Sequence, residues 1–86
     1  MYEIYFSSSF ERELLKIVKK NPKLKAKIRN QIKILADSPQ SPRLGLHKLS
    51  GSNVWAISAT DDLRILFSFQ NHRIYCLKIG THDEVY

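Results

Sequence analysis

The chain has one cysteine, Cys76, so no internal disulfide can form. It lies in the apolar run Ile74-Tyr75-Cys76-Leu77 with no basic pair beside it to lower its pKa, and reads as a small core residue rather than a reactive thiol. No apolar stretch approaches the roughly 20 residues needed to span a bilayer. The start, Met1-Tyr2-Glu3-Ile4-Tyr5-Phe6, lacks the basic residues and cleavage site of a signal peptide, so a cytoplasmic protein without membrane contact is expected. Internal repeats, low-complexity tracts and interdomain linkers are absent. So are the spacings of a metal site: His47 and His82 stand far apart, and the neighbours Asp61 and Asp62 point in different directions if extended. No local motif supports Ser-His-Asp nucleophilic catalysis either. No metal or other cofactor is expected.

What is present is ordinary globular composition, 43% hydrophobic and 26% charged over 86 residues. A chain this short has room for one core, burying only about 60 to 65% of its unfolded surface, and residues 1–86 are expected to form one domain. Acids are outnumbered, 8 against 14 Lys and Arg, for a net charge of +6 and a pI near 9.7. That positive potential favours encounter with polyanions, although sign alone does not choose among nucleic acid, an anionic membrane and an acidic protein. Nine of the basic residues fall between Arg12 and Lys33. Lys25, Arg29 and Lys33 are four apart, a self-repelling stripe that suggests a negative partner, or a solvated face that keeps the chain soluble.

The hydrophobic period divides the chain in two. Residues 2 to 6 read as a strand ending at Ser7-Ser8-Ser9. Ser8 and Glu11 have capping-box spacing for a helix with Phe10, Leu14, Ile17 and Val18 on one stripe. Asn21-Pro22 ends it and lets Pro22 open a second helix carrying Leu24, Ile28, Ile32 and Leu35, so the two form an antiparallel hairpin. After the turn chemistry of residues 37 to 42 the period becomes two, giving strands near 44–49, 54–60, 63–69 and 73–79. Asp61-Asp62 and Gln70-Asn71-His72 are the hairpin connections of an antiparallel meander. The fold class is therefore α+β: an N-terminal strand, a two-helix hairpin and a mostly antiparallel sheet with the helices on one face. The other face is left for function.

His47, Arg64, His82 and Tyr86 are the polar or ionisable groups of the otherwise apolar strand half, with Lys48, Asp61 and Asp62 nearby in sequence. Histidine titrates near pH 6.5, so it can take a proton from a ribose 2′-OH or give one to a leaving 5′-oxygen. An arginine fork would stabilise charge building on the phosphate, and with the 2′-OH as nucleophile no metal is required. His82 and Tyr86 are four apart, so a helical turn after Gly80 would bring both to one side, facing Arg64 across the sheet. Each residue has a plainer reading. Arg64 can be a solvated residue opposite the core, His82 a cap or loop residue, and His72 an exposed turn residue. Trp55, sharing a face with Ile57 and Ala59, reads as a core anchor before a base-stacking platform.

The order strand-helix-helix-meander, the stretch His47-Lys48-Leu49-Ser50-Gly51, the blocks Trp55-Ala56-Ile57-Ser58 and Asp62-Leu63-Arg64-Ile65-Leu66-Phe67, and the ending Gly80-Thr81-His82-Asp83-Glu84-Val85-Tyr86 resemble the RelE/ParE superfamily of type II toxin–antitoxin toxins. Within it, the ending looks most like the YafQ branch of RelE-like mRNA interferases. The resemblance covers nearly the whole chain. It implies a metal-independent endoribonuclease that enters the ribosomal A site, cuts mRNA through 2′-OH attack and so inhibits translation, with Lys25, Arg29, Lys33 and Lys48 contacting RNA. By position it implies catalytic roles for His47, Asp62, Arg64, His82 and Tyr86. The lysine pair of RelE is replaced by Ala56 and Ser58, and a histidine that YafQ-like chains carry near Ala59 or Thr60 is missing. The resemblance also implies an antitoxin partner, with the free toxin monomeric and the complex hetero-oligomeric. Two other readings share the fold: a ParE-like inhibitor of DNA gyrase, and a catalytically weak homologue that only binds an antitoxin.

Overall fold

The structure is a computed structural model describing residues 1–86. Its elements follow the order β1 (Glu3–Phe6), α1 (Ser8–Lys20), α2 (Leu24–Asp37), β2 (His47–Lys48), β3 (Trp55–Ser58), β4 (Leu63–Gln70), β5 (Arg73–Thr81) and α3 (His82–Val85). The five strands form one sheet in the order β1-β5-β4-β3-β2. All pairings are antiparallel except β1 with β5, because the αα-hairpin carries the chain over the sheet before it returns. This is the α+β arrangement expected from the sequence, with a third short helix added at the end.

Register assigns the faces. Ile57 pairs with Ile65 and Ile65 with Ile79, while Trp55 pairs with Phe67 and Phe67 with Cys76. These residues, with Ile74 and Leu63, form the floor of the core, and Phe10, Ile28, Leu35 and Leu44 cover it. Phe10, Leu35, Leu44, Ile57, Ile65 and Phe67 are fully buried. Cys76 is buried among them, and burial pushes its thiol up to about 12, as expected of a core residue. No helix is long and apolar enough to cross a membrane.

Several local expectations shift. The helix α1 is capped by Ser7, not Ser8: the Ser7 Oγ accepts from the Phe10 N–H at 3.0 Å and donates to the Leu77 carbonyl at 2.9 Å, while its N–H reaches the Cys76 carbonyl. These bonds to β5 fix Ser7 as the last extended residue, so the helix starts at Ser8, one position earlier than a Ser8 cap would give, and Glu11, now the fourth helical residue, closes no capping box. Pro22 precedes α2 rather than opening it, because Pro22 and Lys23 lie in a turn and the helix begins at Leu24. The expected strand at 44–49 shrinks to His47–Lys48, since Gly45 takes a left-handed φ of +61° and Leu44 turns into the core. The Asn71 φ of +59° makes the β4–β5 hairpin tight, which asparagine tolerates.

A register shift between Leu66 and Phe67 leaves Leu77 as an extra residue in β5. Without this bulge, Ile74, Cys76, Lys78 and Gly80 would share a face. With it, Ile79 joins the core and Lys78 and Gly80 turn to the other side. Beyond the end of β1 the outer edge of β5 would be bare. Glu13 of α1 covers it, accepting from the Ile79 N–H at 3.1 Å and pairing with Lys78 at 3.3 Å.

Candidate active site on the open face of the sheet

The face turned away from α1 and α2 carries His47, Ala56 and Leu66 in one row and Ser58, Arg64 and Gly80 in the next. Strand β5 delivers the chain end to this face, and Thr81 then caps α3. Its Oγ1 accepts from the Glu84 N–H at 3.3 Å while the Glu84 Oε1 accepts from the Thr81 N–H at 2.7 Å, a complete capping box. Those bonds hold the Glu84 carboxyl below the usual glutamate range, the Thr81 backbone N–H being the main cause. Gly80 lets the turn lie flat, for a Cβ there would meet Glu84 Cβ and Val85 Cγ1 at 3.2 Å each.

The fold-back carries Tyr86 across the sheet to β2. The Tyr86 hydroxyl lies 3.2 Å from His47 Nε2, and the rings meet edge-on at 6.0 Å between centroids. On the side facing its own helix, Tyr86 takes the His82 ring edge-on at 4.3 Å. The tautomer of His47 follows from its other nitrogen. Nδ1 lies 3.3 Å from the Gly45 carbonyl, which can only accept, so in the neutral ring the proton belongs on Nδ1 and Nε2 accepts from the Tyr86 hydroxyl. Ala56 and Leu66 are buried although they lie on the open face, in the strip that Tyr86 crosses. Burial raises the phenol's pKa, partly opposed by the nearby Arg64 charge, so Tyr86 stays protonated at neutral pH.

Arg64 is anchored through one guanidinium nitrogen. Its Nη1 donates to the carbonyls of Leu63 at 3.0 Å, Thr60 at 3.1 Å and Asp61 at 3.2 Å, all in or beside the β3–β4 connection. Nε and Nη2 have no protein acceptor and remain available to a phosphate. His82 is exposed and faces Asp83 at 3.7 Å, a contact of little strength at the surface.

The structure therefore brings together four of the residues singled out in the sequence: His47, Arg64, His82 and Tyr86. It does not bring Asp62 to them. That side chain is exposed in the β3–β4 connection and makes no hydrogen bond or ion pair, while its backbone N–H is bonded to Thr60 Oγ1 at 3.2 Å. Lys48 follows His47 and so points to the opposite face, where its ammonium lies 5.9 Å from the Trp55 ring centroid. Trp55 packs against the core. Lys25, Arg29 and Lys33 also lie on the far side, along α2. There they rim a groove of 480 Å³ with Phe6, Leu14, Leu15 and Ile32. No three His, Cys, Asp or Glu side chains converge to hold a metal ion.

Three contributors escaped the sequence reading. Thr81 and Glu84 carry the visible T-x-x-E signature of a capping box, which marks a helix start as clearly as Ser8 and Glu11 seemed to. Gly45 left no signal of its role, because the carbonyl it offers His47 depends on a left-handed turn.

A family model described as the ParE toxin of type II toxin–antitoxin system, parDE, matches residues 4–86. No curated protein sequence matches the chain. Among solved structures, the chain is similar to a copper-bound mutant toxin from Helicobacter pylori, with 19% identity, a TM-score of 0.84 and 100% of both chains covered. It is similar to YafQ from E. coli, with 16% identity, a TM-score of 0.79 and coverage of 100% of this chain and 99% of that one. A chain of the E. coli DinJ–YafQ complex superposes with 17% identity, a TM-score of 0.81 and the same coverage. At such identities the likeness is one of fold.

Proposed function

The chain belongs to the ParE toxin family of type II toxin–antitoxin systems, within the RelE/ParE superfamily, and we propose that it is an mRNA-cleaving toxin acting on the ribosome from a cytoplasmic location. The observation that carries this reading is the Tyr86 hydroxyl 3.2 Å from His47 Nε2, with His82 against the same ring. Arg64 adds its charge beside Tyr86. The neutral His47 ring with its proton on Nδ1 presents Nε2 to the open face, as a general base must. It takes the proton of a ribose 2′-OH that displaces the Tyr86 hydroxyl. The 2′-oxygen then bonds to phosphorus, the bond from phosphorus to the 5′-oxygen breaks, and His82 protonates the departing oxygen. The free Nε and Nη2 of Arg64 bind the phosphate oxygens as their charge grows. Tyr86 packs against the nucleotide.

This division of labour gives Asp62 no direct step. Its exposed carboxylate, at the end of the sheet where Arg64 is anchored, would serve to orient substrate. Lys48, Lys25, Arg29 and Lys33 would meet ribosomal RNA, which supplies the docking surface that a site this open lacks.

The groove between α1 and α2 supports an antitoxin partner. Leu15 is 61% exposed and Phe6 44% exposed there, beside the cations of α2, which suits an amphipathic acidic segment. YafQ is found with DinJ in solved complexes, in keeping with such a partner.

The family description also favours a second reading, a gyrase inhibitor of the ParE kind. Induction without antitoxin, followed by primer extension on cellular mRNA and an assay of DNA-damage signalling, separates them. New mRNA ends within codons, without damage signalling, are expected. Damage signalling with intact mRNA would replace the nuclease reading by the gyrase one.

A further inference from the structure

The open face does not stop at the candidate site. Past the row of His47, Ala56 and Leu66, the next residues on the same face are Ser68, Tyr75 and Tyr5, adjacent across β4, β5 and β1. The Tyr5 and Tyr75 rings stack with centroids 5.2 Å apart and planes 20° from parallel. The Arg73 guanidinium sits 5.6 Å from the Tyr5 ring centroid and is held by Glu3 at 3.4 Å. Tyr5 is 41% exposed. Tyr5 covers one side of the Tyr75 ring. On the other side the neighbour in register is Ser68, a small residue, and Tyr75 itself is partly exposed.

We propose that Tyr75, backed by Tyr5 and Arg73, is a stacking platform for a base of single-stranded RNA that continues from the nucleotide cleaved at His47 and Tyr86. Three observations carry it. The aromatic pair shares a face with the candidate site. Ser68 is four residues from Arg64 along β4, about 13 Å at the rise of a strand, which suits a flanking nucleotide rather than the scissile one. The chain's charge of +6 favours a polyanion over an acid-poor protein surface. Stacking on an aromatic face accepts any base, so the platform contributes grip and not sequence choice. It rests on the nuclease reading for the position of the cut, but binding can be measured without cleavage.

The test is fluorescence anisotropy of the full chain with a fluorescein-labelled hexanucleotide carrying 2′-O-methyl groups, which cannot be cut. Tyr75→Ala weakens binding by about tenfold, the usual scale for loss of one stacked base. Tyr75→Phe keeps the ring and binds as the wild type does, and the effect of Tyr75→Ala fades when the RNA is shortened to a dinucleotide. Unchanged binding in a folded Tyr75→Ala chain overturns the platform. So does an equal loss in Tyr75→Phe, which would assign the effect to the hydroxyl, or an absence of RNA binding by the wild type. Cleavage on mRNA-programmed ribosomes is scored separately. If the wild type cuts nothing while hexanucleotide binding still depends on the Tyr75 ring, the nuclease reading fails alone. If it cuts and binding ignores Tyr75, the platform fails alone.

Discussion

The two faces of the sheet are built from the same strands and differ in almost every other respect. Toward α1 and α2 the side chains are Ile57, Ile65, Phe67, Ile74, Cys76 and Ile79, all buried and without polar company. On the opposite face stand His47, Arg64, Tyr75 and Lys78, and the only cover there is α3 with Tyr86. Burial of apolar surface on one side holds the chain folded, which leaves the other side free to keep polar groups that contribute little to stability. The alternation of strand side chains makes that separation possible, and the bulge at Leu77 keeps it in phase along β5.

Substitutions that distinguish the faces test this contrast. The largest effect belongs to the helix side: Phe67→Ala removes a fully buried ring and should cost about 3–5 kcal/mol in urea unfolding. That is a large share of the stability of a chain this size. His47→Ala on the open face should stay within about 0.5 kcal/mol of the wild type in the same experiment, because His47 is exposed. Equal losses for the two would erase the contrast.

Gly80→Val probes the join between the sheet and its cover. The added side chain collides with Glu84 and Val85, so α3 must lift and carry Tyr86 away from His47. A cost of about 1–3 kcal/mol is expected for such overpacking. The His47 ring resonances in an NMR spectrum should shift with it. Unmoved resonances would mean that Tyr86 does not depend on the Gly80 contact.

The smallest effect concerns pH. The folded-state pKa of Glu84 is lowered, so its contribution is present above the ordinary glutamate value of about 4.3 and is lost as pH falls through the lowered value. The Thr81 amide proton resonance should therefore titrate in acid, below the midpoint of a free glutamate. A midpoint at or above the free value would show that the capping box is not formed in solution.

The fold was legible where periodicity was strong. Phe10, Ile28 and Leu35 fall on helical stripes, and Ile57, Ile65 and Phe67 on alternating strands, so the faces could be assigned before their partners were known. Ser7 and Leu77 were not legible: Ser7 is fixed as the cap by bonds to β5, 70 positions away in sequence, and the bulge by the register of β5 on β4, which no alternation of side chains announces. The site was half legible. His82 and Tyr86 share a spacing of four, and Arg64 stands out among apolar neighbours. The meeting of Tyr86 with His47 depends on a cross-sheet reach that no local pattern encodes, and the turn of Lys48 to the far face follows from a register that only the pairing with Trp55 fixes.

The role proposed for His47, whose Nδ1 lies against the Gly45 carbonyl and whose Nε2 meets Tyr86, is that of the base in a ribonuclease site. Single-turnover cleavage of mRNA on programmed ribosomes, comparing wild type with His47→Ala at equal folded concentration, tests it most directly. A rate lower by about 10²- to 10⁴-fold is expected in the variant, with ribosome binding retained. Cleavage by His47→Ala at the wild-type rate would contradict it.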